Sequence, residues 1–350
     1  MTVSPPPRPA KRPTLADVAR ASGVSVALAS IVMRGAEGAS ETSRQRVKAA
    51  AAQLGYRPDS RARSLRSHRS RTIGLALALG EPLHAELADA LYAEADARGY
   101  QLLLGATGAH HNGQRAMDTL VDAGVEAIIS ISSSLSSAQL GQITTRVPVL
   151  SLLRRYRNHR SVLTDEAAGI EQLVTHLVDG GHHRLLHLDG GHAVAADQRR
   201  VAFERAVAQA GDAVSGLVLP AGADESSAAT VLGTYLTQTA AASRATAVLA
   251  FNDRAALGAR QAIIDSGLHI PGDIALTGFD DSEFARLAHV DLTSVRQDVA
   301  ALAASAIAGV LATLDPDTKD DTSLAIFHAP HLVVRGSSRE KKPPHRGIDP

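Results

Sequence analysis

The sequence predicts a two-part molecule: an all-α, three-helix helix-turn-helix headpiece followed by an α/β core of two doubly wound parallel-sheet subdomains. Three observations carry that expectation. Three short helical patterns crowd between Thr14 and Gly55, the first two separated by a tight glycine turn. An arginine-rich segment follows them. From Thr72 onward, apolar strands alternate with amphipathic helices.

Residues 1–12 (MTVSPPPRPAKR) have no apolar period and read as a disordered arm. Thr14 can cap a helix, and Asp17 falls in its first turn, where a carboxylate suits the helix dipole. The spacing therefore predicts a helix over 15–22 that carries Leu15, Val18 and Ala19 on one face. Gly23 ends it, since glycine enters a left-handed turn most cheaply. A second helix is expected from the cap Ser25 to about Met33. After the 35–38 loop, a third starts near Ser40, is sustained by Val47, Ala50, Ala51 and Leu54, and stops at Gly55. The helix-turn-helix unit is thus assigned to residues 13–57.

Residues 58–71 form a hinge of different texture. Pro58 breaks the preceding helix, Asp59 can cap a short new one, and six arginines lie from Arg57 to Arg71. Such a run either stays a flexible linker or folds against phosphate. The body, 72–339, is expected to hold about ten strands, among them 73–79, 101–106, 127–132, 147–153, 184–190, 215–220, 247–252 and 274–280. Helices are expected at 85–98, 112–123, 136–142, 166–179, 196–210, 225–239, 253–266 and 296–313. Alternation of this kind gives parallel sheets covered on both faces, with a ligand crevice where strand C-termini meet. Residues 340–350 read as a disordered tail.

Charge divides as sharply as pattern does. The chain of 350 residues has zero net charge, yet residues 1–71 hold 14 Lys+Arg against 4 Asp+Glu, leaving 22 against 32 for the remainder. A basic head on an acidic body is the footprint of nucleic-acid binding by one end. With no cysteine, disulfides, thiolate zinc sites and a cysteine nucleophile are excluded. No stretch has the apolar length of a membrane span or a signal peptide, so a soluble cytoplasmic protein is expected.

Seven segments carry a resemblance to a known family: TLADVARASGVS (14–25), ETSRQRVKAAAAQLGYRPDSRARSLRS (41–67), TIGLAL (72–77), HLVDGGHHRLLHLDGG (176–191), FNDRAALGARQAI (251–263), DIALTGFDDSEFA (273–285) and LVVRGSS (332–338). In this order the chain resembles the lactose-repressor (LacI-type) family of transcriptional regulators. The resemblance implies a homodimer or homotetramer on a palindromic double-stranded DNA operator. It also implies a small-molecule effector held between two subdomains of periplasmic-binding-protein type, and no cofactor. Because the chain of that fold crosses between subdomains three times, the N-subdomain is expected at about 72–162 and 293–323, and the C-subdomain at about 163–292 and 324–339.

The base-reading helix is then 25–34, unusually apolar for that role. By the resemblance, Val26, Ala27 and Ile31 stand at base-reading positions, Ile31 where an arginine is common and Leu28 where a threonine is. Apolar groups can meet thymine methyls, while Ser25, Ser30 and Arg34 remain for phosphates or bases. Thr14, Leu15 and Tyr56 complete the expected DNA-contacting set of the headpiece. Val32 and Ala29 read as core. In the hinge, Leu65 matches the leucine the family wedges into the minor groove, with Ala62 beside it and Arg61 and Arg66 along phosphates. A capping contact of Leu65 on the body is the other reading.

In the crevice, Arg199 stands where the family grips effector oxygens. Asn252 with Asp253 and Asp280 with Asp281 end successive strands, and His84 and Gln297 complete the expected effector set. Asp253 and Asp281 read equally as helix caps. Converging carboxylate, amide and guanidinium groups suit a polyhydroxylated ligand such as a sugar. The loop Glu81–His84 and Leu153, which takes a usual aspartate position, depart from the family pattern. The 3% aromatic content leaves little to stack on a pyranose.

Fifteen histidines invite a metal reading, but His110–His111 and His182–His183 lack the helical i, i+4 spacing of a site. Two rival functions share the crevice. A transport-type solute-binding protein needs an export signal and leaves 14–71 unexplained. A sugar-modifying enzyme needs a base, nucleophile or phosphate loop that the sequence does not offer.

Overall fold

The computed structural model describes residues 13–33, 35–56, 70–108, 110–315 and 324–339, in two compact units that divide between Ser70 and Arg71. In the first unit, α1 (Leu15–Ser22), α2 (Val26–Met33) and α3 (Glu41–Leu54) begin and end on local chemistry. Thr14 and Asp17 form a reciprocal capping box: the Asp17 amide donates to Thr14 Oγ1 at 3.3 Å and the Thr14 amide to Asp17 Oδ2 at 2.9 Å. Ser25 Oγ accepts the Leu28 amide and Ser40 Oγ the Ser43 amide. Gly23 and Gly55 close α1 and α3 at φ 65° and 62°, a left-handed conformation that side chains with a Cβ rarely adopt. Val18, Ala19, Ala29, Val32, Val47, Ala50 and Ala51 make the small core.

The second unit holds two six-stranded sheets. The first is built from β1 (Thr72–Ala78), β2 (Gln101–Thr107), β3 (Ala127–Ile131), β4 (Val149–Leu152), β5 (Ser161–Thr164) and β11 (Ala325–His328), all parallel, in the order β11-β5-β4-β3-β1-β2. Its faces are covered by α4 (Pro82–Ala97) and α11 (Val299–Leu314) on one side and by α5 (Gly113–Asp122) and α6 (Ser137–Thr144) on the other. The second sheet is built from β6 (Arg184–Asp189), β7 (Ser215–Pro220), β8 (Ala247–Ala250), β9 (Ala275–Asp280), β10 (Thr293–Arg296) and β12 (His331–Val333), in the order β12-β10-β9-β8-β6-β7, with β12 antiparallel. On its faces pack α7 (Glu166–Asp179) with α8 (Ala196–Gln209), and α9 (Glu225–Gln238) with α10 (Asp253–Asp265). Ala127–Ile131 and Ala247–Ala250 are buried at every position, and the second is continuously apolar rather than alternating.

The chain passes between the sheets at three places: between β5 and α7, between β10 and α11, and between β11 and β12. The subdomain limits expected from sequence shift accordingly. Residues 293–296 belong to the second sheet, because Thr293–Arg296 pairs with Thr277–Asp280. Residues 325–328 belong to the first, where Ala325 lies beside Ser161. The expected loop at 81–84 is also corrected: Pro82 opens α4, its missing N–H costing nothing in a first turn.

Candidate nucleic-acid interface and ligand cleft

In the headpiece, α2 turns Ala29 and Val32 inward and leaves Val26 and Ala27 exposed, with Ser30 and Ile31 half-buried. Thr14 and Ser25 are exposed, and their hydroxyls are engaged as helix caps. Leu15 and Tyr56 are half-buried against the headpiece core. Arg34, Arg61, Ala62, Leu65 and Arg66 lie outside the described residues.

In the body, the loops at the strand C-termini of the two sheets reach one another. Arg254 of α10 donates to the Gly80 carbonyl at 3.4 Å and faces Glu81 at 3.8 Å. Arg286, in the loop after β9, contacts Glu86 of α4 at 3.2 Å. Beside the Arg286–Glu86 contact lies a cavity of about 310 Å³, lined in part by Glu86, Asp280, Arg286, Arg296, Gln297 and His331. A second, open depression of about 520 Å³ lies beyond the ends of β6 and β7, walled by small groups such as Gly191, Ala221, Gly222, Ser226 and Thr230.

Arg199, on the first turn of α8, is the centre of a buried cluster. Its Nε donates to Glu166 Oε2 at 2.7 Å and its Nη1 to the Phe251 carbonyl. The guanidinium carbon lies 3.6 Å from the Phe279 ring centre and 4.6 Å from that of Phe251, so aromatic faces hold it by cation–π attraction. Asp280 Oδ1 is 3.7 Å from Nη2. Gln297 Nε2 donates to that same carboxylate at 2.7 Å, while Thr164 Oγ1 donates to Gln297 Oε1. Thr164, Glu166 and Gln297 stand at two of the three crossings, so the cluster sits on the hinge itself. Asp280 has a φ of 104°, an unusual conformation for a residue with a Cβ. Burial pushes its carboxyl well above the usual range, against the attraction of Arg199. Its side chain keeps 15% of its surface.

The structure brings Arg199, Asp280 and Gln297 together but satisfies His84 and Asn252 elsewhere. His84 is buried in α4, where its Nδ1 accepts the Ala78 amide at 3.1 Å and burial holds its pKa near 4. Asn252 is the N-cap of α10, its Oδ1 accepting the Ala255 amide at 2.8 Å. Neither Asp253 nor Asp281 is a cap. Asp253 is buried and receives the Ser294 hydroxyl and the Ser282 amide; burial raises its carboxyl to about 7. Asp281, fully buried, pairs with Arg296 and Arg335. Sequence reasoning passed over Glu166, Thr164, Phe251 and Phe279. The two phenylalanines stand directly before Asn252 and Asp280 in segments already singled out, and that adjacency was their available signal. Among the described residues, no group of His, Cys, Asp or Glu side chains is placed to hold a metal ion.

These features have known counterparts. Residues 14–59 match the family described as bacterial regulatory proteins, lacI family, and residues 174–338 match a periplasmic binding protein-like domain. The transcriptional regulator GalR of Escherichia coli is 30% identical over 333 residues, covering 93% of this chain and 95% of its own. The repressor PurR of Vibrio campbellii is 28% identical, covering 93% and 99%. Among solved structures, the lac repressor dimer bound to operator and the anti-inducer ONPF aligns with a TM-score of 0.79 at 26% identity, covering 94% of this chain and 99% of that one. The regulator CelR in complex with cellobiose aligns at 0.67 and 25%, covering 93% and 100%. The chain belongs to the lacI family of bacterial regulatory proteins and is a DNA-binding transcriptional regulator with an effector-binding domain.

Proposed function

We propose that the protein is a cytoplasmic repressor that binds a palindromic operator as a dimer and is controlled by a small polyhydroxylated metabolite, catalysing no reaction of its own. The effector binds between the two sheets, against Arg199, Asp280 and Gln297. The observation that carries this reading is the placement of that cluster at the hinge: a ligand bridging it to the first subdomain has different contacts in open and closed arrangements, which is the condition for coupling. Cellobiose bound to CelR supports a carbohydrate-like ligand.

The test is operator binding by fluorescence anisotropy, titrated with a panel of neutral mono- and disaccharides and polyols. Arg199→Ala and Asp280→Ala should bind operator as the wild type does without ligand. Each should need roughly ten- to a hundredfold more of the active sugar, the loss expected for one hydrogen bond to a charged group, about 1.5 to 3 kcal/mol. An unshifted response in both folded variants, or no responsive compound in the panel, would overturn this placement.

A further inference from the structure

Two arginines of the second subdomain reach across the cleft, and both meet the same part of the first. Arg254, at the start of α10, donates to the Gly80 carbonyl at 3.4 Å and lies 3.8 Å from Glu81. Arg286, in the loop after β9, lies 3.2 Å from Glu86. Gly80 and Glu81 lead into α4, and Glu86 stands in its second turn. The N-terminal end of α4 is thus held by two separate segments of the opposite subdomain.

Each arginine is also tethered on its own side. Arg254 Nε is 3.9 Å from Glu225 of α9, and Arg286 Nε is 3.7 Å from the buried Asp281. A side chain already held in this way loses less freedom when it takes a further partner, so more of the attraction is retained. The tethers lie within one subdomain and survive any separation of the two sheets. The contacts to Gly80, Glu81 and Glu86 do not, because they join residues on opposite sides of the cleft. All four side chains of the crossing pairs are partly exposed. Such pairs are individually weak and are screened by salt, which suits contacts that must break and re-form in operation.

We propose that Arg254 with Glu81 and Arg286 with Glu86 form an ionic clasp across the cleft. Ionic strength then sets the balance between its open and closed arrangements, and with it the response to an effector. The inference rests on the reading that the effector binds between the two sheets, and it adds what regulates that site.

The chain has no cysteine, so spin labels can be placed without background. Ser134→Cys and His192→Cys put one label on each subdomain, both at exposed positions in loops that follow the C-terminal ends of β3 and β6. The labelled full-length chain, without DNA or sugar, is diluted into an excess of unlabelled protein, so that each distance is measured within one protomer. Pulsed double electron–electron resonance then reports the short and long distances at about 50 and about 500 mM salt. In this parent the ratio of short to long should fall about two- to tenfold as salt is raised. Adding Glu81→Gln and Glu86→Gln together should lower the ratio by a similar factor at low salt and leave salt with little further effect. Arg254→Gln, which removes one arm, should fall between, and it provides the check if the double variant melts earlier than the parent. A salt response as large in these variants as in the parent would overturn the proposal, as would a parent distribution that salt does not move. Neither result depends on where the effector binds, and an error in that placement shows instead in the sugar titrations of the Arg199 and Asp280 variants.

Discussion

Glu166 Oε2 lies 2.7 Å from Arg199 Nε, so the one guanidinium at the centre of the hinge cluster has its charge answered by the protein itself. Both side chains are nearly buried, at 12% and 5% exposure. The pair also joins the start of α7, where the chain first enters the second subdomain, to the first turn of α8. Glu166 is therefore a positioning residue. Its carboxylate fixes the direction of the guanidinium and answers its charge.

Glu166→Gln should keep the fold and ligand-free operator affinity but weaken the response to the active sugar by roughly tenfold, since a neutral amide holds the guanidinium less firmly than a carboxylate. Glu166→Asp, which keeps the charge but shortens the reach, should fall between. Anisotropy titrations of the three proteins with the same operator and sugar provide the comparison. Identical responses would leave Glu166 with no part in aiming Arg199.

Asp281 should matter to stability rather than to ligand response. Its carboxylate is fully buried and holds Arg335 at 2.6 Å, with Arg296 also paired and Arg286 at 3.7 Å. Asp281→Asn removes the charge that all three face, and breaking a buried pair costs about 3 to 5 kcal/mol. Since Arg286 and Arg296 are each more than 40% exposed and can turn to solvent, the lower end is expected, about 3 kcal/mol. Urea denaturation of the two proteins measures it, and a difference under about 0.5 kcal/mol would contradict the role.

Acid should act through His187. It is fully buried beneath Phe203, its Nδ1 lies 3.0 Å from the Leu249 carbonyl, and burial holds its pKa near 4. In the unfolded chain a histidine takes its proton near 6.5. Between those values the unfolded state binds more protons, so the His187 contribution to stability is lost as the pH falls from 6.5 towards 4. His187→Leu abolishes that loss. Its stability relative to wild type should improve by up to roughly 1.4 kcal/mol per pH unit across the window, whatever the substitution costs at neutral pH. Parallel pH–stability curves for the two proteins would show that the histidine is not the titrating group.

Gly258 is where two helices touch through backbone. A Cβ built there would stand 1.9 Å from the Glu225 carbonyl oxygen, so α10 meets the start of α9 with no room for a methyl. Gly258→Ala should force the helices apart and lower stability by about 1 to 3 kcal/mol, despite the better helix propensity of alanine. A thermal midpoint at or above that of the wild type would mean that the contact yields more easily than its geometry implies.

What the amino-acid order determined by itself is what hydrogen bonds close within one helical turn or period-driven burial can set. Thr14 with Asp17, Ser40 with Ser43, and the left-handed Gly23 and Gly55 delimit the headpiece helices from neighbours three or four positions away. The long apolar strands and the helices between them were legible for the same reason, a repeated pattern summed over many residues. Tertiary structure decided the rest. The strands β5, β10, β11 and β12 are only three or four residues each, too short for a period, and their sheet membership comes from partners such as Thr277 and Ser161 far along the chain. Asn252 and Asp253 are adjacent, yet the first caps a helix and the second holds Ser294, a residue 41 positions on. Arg199 was foreseen from its place in a pattern, but its partners Glu166 and Phe251 lie 33 and 52 positions away. Only the packing of α7, α8 and the end of β8 against one another on the second sheet brings them within hydrogen-bonding distance.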